Sequence, residues 1–185
     1  SDGNLKVNTL TQITAGNFLE NNSASKLDSA NIIYLIEYPT VNSSEDFYDK
    51  LVNKLLNKNT PFFFLFSSEV DVKKLGRLNN LLPFSIQRVE KNYLQVQPDL
   101  QINELNNPLL QNSTINEWNN LPPISQPISA ITVKPESKII SKIRINNQPR
   151  NNALIVSRNL GSKRSVGVIA KDIWRWKLQT ANKNL

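Results

Sequence analysis

The sequence predicts an α/β domain of three layers, with a parallel core sheet and a β-rich C-terminal half. Three observations carry this. Two apolar runs rich in β-branched and aromatic residues, Asn31–Tyr38 and Pro61–Phe66, have the length and texture of strands buried on both faces. Each is followed by a helical stripe across a short link, which is the order of a parallel sheet with right-handed crossovers. After Pro83 the texture changes to short alternating segments separated by turn residues.

Residues 5–13 alternate loosely and read as a first strand, and residues 15–20 as a helical turn. Pro39 ends the first buried strand. Ser44 is placed to cap the next helix, and Glu45 and Asp46 suit its positive end. Phe47, Leu51, Val52 and Leu55 form its apolar stripe, and Lys50, Lys54 and Lys58 lie toward its C-terminus. Asp71 opens a second helix on Val72, Leu75, Leu78 and Leu81 or Leu82, which Pro83 stops. Residues 85–96 suggest a hairpin or two short strands around Lys91-Asn92, and residues 98–127 read as loop-rich. Residues 130–133 and 138–145 are expected strands. Residues 153–158 and 164–170 form an expected hairpin around Asn159-Leu160-Gly161-Ser162. Asp172 is placed to cap a closing helical turn through Trp174-Arg175-Trp176.

Composition excludes several kinds of chemistry. The 185 residues contain no cysteine and no histidine, so thiol nucleophiles, imidazole bases, disulfides and the usual zinc ligands are absent. With 39% hydrophobic residues, 5 Gly and 10 Pro, the chain reads as one globular domain over residues 1–185. No apolar run approaches the ~20 residues of a membrane helix. The opening Ser1-Asp2-Gly3, without an initiator Met, suggests a segment of a longer protein. The Asn pairs read as compositional habit.

The net charge of +7 is uneven. Residues 1–100 carry 10 Lys/Arg against 11 Asp/Glu, and residues 101–185 carry 12 against 4. A polyanion-binding role is one reading of that excess. The basic residues are scattered over separate segments, so a solvated face is the expectation and no nucleic-acid partner is expected.

Residues 29–40, residues 60–68 with Leu82-Pro83-Phe84, and residues 166–178 ending in Trp174-Arg175-Trp176 resemble, in this order, the class I glutamine amidotransferase-like domain. Trp118, Leu121-Pro122-Pro123 and Pro149-Arg150 extend the resemblance over residues 28–178. It is similar to the catalytically silent version found in large bacterial membrane-anchored proteins with von Willebrand factor A-type domains. The resemblance implies a flavodoxin-like fold, an extracytoplasmic setting beside a membrane anchor that flanking segments would supply, and a binding or scaffolding role. True members carry a cysteine in a tight strand-to-helix turn, with a downstream histidine. The matching turn here, Leu65-Phe66-Ser67-Ser68-Glu69, has neither Cys nor Gly, so no catalytic residue carries over.

The expected function is therefore a non-catalytic interaction domain, with other domains of the parent protein or a separate protein as partner. Trp118, Trp174, Arg175 and Trp176 are the candidate interaction residues, because Trp and Arg are enriched where binding energy concentrates. The rival is a Ser-dependent hydrolase using Ser67 or Ser68, with Lys73 or Lys74 as base; serines before a helix more often cap it. Glu37, Glu45, Asp46 and Glu69 are candidates for a carboxylate pair or hard-metal site, though helix-start and solvent-facing roles explain them. Phe62, Phe63, Phe64 and Phe66 read as core rather than as a ligand pocket. No cofactor and no metal are expected.

Overall fold

The computed structural model describes residues 6–14, 17–18, 23–104, 107–110 and 114–182. A two-stranded ribbon, β1 (Gln12–Thr14) and β2 (Asn17–Phe18), precedes helix α1 (Ser23–Ser29). Asn17–Phe18 is thus strand where a helical turn was expected; residues 15–16 and 19–20 of that turn lie outside the described residues. Then come β3 (Ile33–Ile36), α2 (Glu45–Asn57), β4 (Phe62–Phe66) and a 3-10 segment, Val72–Asn80. The C-terminal half holds β5 (Phe84–Leu100), α3 (Ile115–Asn119), β6 (Ile124–Val133), β7 (Ser137–Ile145), β8 (Gln148–Leu160), β9 (Lys163–Ile169) and α4 (Trp174–Asn182).

Strands β3 to β9 build one mixed sheet of seven strands in the order β3-β4-β9-β8-β7-β5-β6. The expected neighbours β3 and β4 are parallel, with Leu35 opposite Phe64. β9 adds a third parallel member, with Gly167 opposite Phe64. Every other ladder in this sheet is antiparallel.

The expected three-layer flavodoxin-like domain with a parallel core is therefore corrected: the fold is β-rich, and its parallel part is limited to three strands. The reason lies in the connections. A parallel pair needs a crossover, usually helical, and α2 supplies one between β3 and β4. The next helical segment kinks at Gly76 (φ 45°) and leads instead into the 17-residue strand β5. Residues 85–96, expected to turn at Lys91-Asn92, run straight through that strand, with register shifts between Ile86 and Arg88 and between Val89 and Tyr93. Bulges of this kind absorb a polar stretch without reversing the chain. β7–β8 and β8–β9 are tight hairpins. The first turns on Asn146 and Asn147, both at positive φ, as a primed two-residue turn requires; this Asn pair is structural.

Alternation along the central strands sends side chains to two clusters on opposite faces. Ile33, Leu35, Phe62, Phe64 and Phe66 pack under α2 with Leu51, Val52 and Leu55. Leu65, Val168 and Ile155 face the other way, with Trp118, Ile173 and Trp176 packed against them. Phe64 and Phe66 are fully buried, as a core role for the Phe run requires. β3 departs from its expected burial on both faces: Tyr34 is 62% exposed and Ile36 63%, because β3 is the sheet's edge and this face of it is uncovered.

Candidate interaction surface

β9 delivers Ala170 fully buried, and Lys171 then bridges back to β6, its N–H donating to the Ser125 carbonyl at 2.8 Å. Asp172 follows in the left-handed region (φ 67°), which turns the chain away from the sheet. Its carboxylate accepts from Ser125 Oγ at 2.8 Å. The side chain expected to cap the helix is thus taken by β6, while its backbone carbonyl accepts from Arg175 N–H at 3.0 Å. The helical turn through Trp174-Arg175-Trp176 forms as expected.

Residues two apart on a helix diverge by about 200°, and the two tryptophans do so. Trp176 is half-buried and meets Trp118 edge to face, with ring centroids 5.8 Å apart. Its indole N–H donates to the Pro122 carbonyl at 3.0 Å. Trp118 and Trp176 thus pin α4 and the 114–122 segment onto the second cluster. Trp174 points outward at 57% exposure, and Leu178, one turn further on, is 56% exposed. The Arg175 guanidinium stands 5.7 Å from the Trp174 ring centroid, a cation–π arrangement. Of the four candidate residues, the fold brings Trp174 and Arg175 together on an open face and turns Trp118 and Trp176 inward.

Tyr34 and Ile36 belong to the same side of the sheet, since Tyr34 stacks beside Phe63 at 5.6 Å and Phe63 packs on the second cluster. These exposed apolar residues were missed from sequence. In an unbroken apolar run nothing distinguishes the covered face from the open one.

The serine candidates occupy the C-terminal end of β4. Ser67 is fully buried, and its Oγ accepts from the Glu69 amide at 3.1 Å. Ser68 Oγ lies 2.6 Å from the Tyr93 hydroxyl, which also accepts from the Ser68 amide at 3.1 Å. The Lys171 ammonium sits 3.9 Å above the Tyr93 ring. Lys74 donates to the Val41 and Ser43 carbonyls at 2.8 and 2.9 Å, and the Lys73 side chain is solvent-facing, with its backbone amide donating to Asp71. The amides of Ser68, Glu69 and Val70 are engaged within the protein, Val70 N–H donating to Ser67 O at 3.3 Å. An oxyanion hole needs such donors free and convergent. Among the described residues, no group of three Asp or Glu side chains is disposed to hold a metal, and Glu37, Glu45, Asp46 and Glu69 form no such set.

No family model matches the chain, and no curated protein matches it. Solved structures do. The cytoplasmic protein STM1381 from Salmonella typhimurium LT2 is similar at a TM-score of 0.56 and 12% identity, over 80% of this chain and 63% of that one. A cold-adapted β-galactosidase from Rahnella sp. R3 is similar at a TM-score of 0.48 and 10% identity, over 83% of this chain and 22% of that one. An exo-β-1,4-mannosidase, Op5Man5 from Opitutaceae bacterium strain TAV5, follows at 0.44 and 12%, over 84% and 23%. The chain thus spans less than two thirds of each protein. At 12% identity the first likeness extends to the fold alone.

Proposed function

We propose that this chain is an interaction domain without catalytic chemistry of its own, working as one part of a larger, membrane-associated bacterial protein on the extracytoplasmic side. The observation that carries the reading is the division of labour on α4. Trp176 is pinned by Trp118 and the Pro122 carbonyl, while Trp174 and Leu178 stand open one turn apart. An exposed Trp with an Arg on its face is the composition of a binding hot spot. The internal engagement of the Ser68, Glu69 and Val70 amides supports the absence of acyl-transfer chemistry.

The test uses the parent protein's neighbouring domain and this chain as separate polypeptides. Trp174→Ala with Leu178→Ser should weaken their association about tenfold or more while leaving the melting temperature of this chain unchanged. Association unaffected by that pair of substitutions overturns the reading. So does ester or glutamine hydrolysis that persists through purification and disappears in Ser68→Ala.

A further inference from the structure

The seven-stranded sheet has two edges, and they are protected differently. β6 carries Pro127 inside the strand and is met from outside by Lys171, which bridges to Ser125. A proline and a covering contact are two of the devices that keep an edge from pairing with another chain. β3 has neither. Its residues Ile33-Tyr34-Leu35-Ile36 include no proline and no charge, and among the described residues its one ladder is with β4.

The parity of that ladder fixes what the free edge offers. The Ile33 and Glu37 amides donate inward to the Pro61 and Leu65 carbonyls, at 3.1 and 3.0 Å. In a parallel pair alternate residues turn their N–H and C=O toward the neighbouring strand, so those of Tyr34 and Ile36 point away from the sheet. The side chains of the same two residues stand exposed, on the face where Tyr34 leans on Phe63. The free backbone groups and the uncovered apolar side chains therefore come from one pair of residues.

We propose that β3 pairs with β3 of a second copy of this chain, antiparallel about a two-fold axis at Leu35. In that register Tyr34 of one copy and Ile36 of the other exchange both main-chain hydrogen bonds, and the axis repeats the pair. Each exposed Tyr34 covers an exposed Ile36, an aromatic–β-branched pairing that stabilises sheets. A two-fold contact needs a patch complementary to itself, and this alternation supplies one. The charges are compatible with it: Glu37 leaves the strand at φ 53°, so the two carboxylates lie at opposite ends of the ladder and no like charges meet. A ladder of four residues falls short of the ~1,200 Å2 of a stable interface, so the dimer is weak and reversible, with a Kd of about 10–100 μM. The inference does not depend on the outer face of α4.

The test is sedimentation of the 185-residue chain from about 5 to 500 μM, where a dimer that grows with concentration is expected. Tyr34→Lys and Ile36→Lys, each at an exposed position, should keep the melting temperature and weaken self-association about tenfold or more. Trp174→Ala should leave it unchanged. Because the chain has no cysteine, the register has its own readout. A mixture of Tyr34→Cys and Ile36→Cys chains should form a disulfide between copies under mild oxidation, since paired Cα atoms lie about 5.5 Å apart. Either variant alone should cross-link much more slowly. A chain that stays monomeric throughout, or Lys variants that dimerise like the wild type, would overturn the proposal. So would cross-linking no faster in the mixture than in either variant alone. Loss of the dimer in Trp174→Ala would move the contact to α4, and a monomer whose neighbouring domain is released by Tyr34→Lys would assign the edge to that domain; each overturns pairing between copies.

Discussion

Gly167 and Phe84 share one space: a Cβ on Gly167 would run into the edge of the Phe84 ring, and would also lie 3.0 Å from Pro83 Cγ. Gly167 sits in β9 opposite Phe64. Phe84 is fully buried and meets Phe64 and Phe66, each at 6.3 Å between ring centroids. The missing side chain thus makes room for the ring that ties the start of β5 to the parallel strands. Gly167→Ala should destabilise by about 1–3 kcal/mol, the usual cost of overpacking. Adding Phe84→Leu should recover part of that loss, because the smaller side chain clears the overlap. Urea unfolding of the two variants checks both statements; an Ala at 167 that costs nothing would contradict the packing.

Phe64 is the centre of the first cluster, fully buried and flanked by rings on two sides. Phe64→Ala should cost about 3–5 kcal/mol, the sum of lost transfer energy and cavity. Denaturant midpoints at unchanged slope are the measurement. A loss below ~1 kcal/mol would mean that the neighbouring Phe residues collapse into the gap.

The two tryptophans of α4 should separate in a melting experiment. Trp176→Ala removes a half-buried ring, its edge-to-face partner and the bond to Pro122, and should destabilise by about 2 kcal/mol or more. Trp174→Ala should stay within about 0.5 kcal/mol, as exposed positions do. Similar losses for both would place Trp174 against the body of the protein.

Stability should fall on the alkaline side through Tyr48. Burial raises its hydroxyl well above the ordinary tyrosine range; the charges of Tyr38 and Asp49 add to this, and Arg77 opposes it. The hydroxyl donates to the Leu75 carbonyl at 2.8 Å. The unfolded chain gives up this proton near pH ~10, whereas the folded chain keeps it. The contribution is therefore complete below that pH and is lost as pH rises toward the folded value. Tyr48→Phe should be less stable than wild type at pH 8 by about 1 kcal/mol, and should lose less on going to pH 11. Parallel losses in the two proteins would exclude Tyr48 as the cause.

Much of the local structure was legible because it is set by short-range rules. The α2 stripe of Leu51, Val52 and Leu55 is buried as its spacing requires. Asp71 caps its helix, accepting from Lys73 N–H at 3.0 Å. Ser44, read with the same rule, makes no side-chain cap bond. Thr114 and Glu117 form a capping box that opens α3 inside a stretch that reads as loop. The Thr-x-x-Glu signal was there, but five helical residues carry too little periodicity to confirm it.

By itself the sequence determined the chemistry that is impossible without Cys or His, the parallel pairing of Asn31–Tyr38 with Pro61–Phe66, and the turn into Trp174-Arg175-Trp176. Those follow from residue inventory and from contacts close along the chain. Only the tertiary structure decided that β9 joins the parallel strands while β5 to β8 pair antiparallel. It alone decided that Trp176 and not Trp174 turns inward, left one face of β3 open, and brought Arg158 and Lys134 together from positions 24 residues apart. Each of these depends on which surface a distant segment covers, and apolar periodicity is blind to that: it records that a side chain avoids water, not what it meets instead.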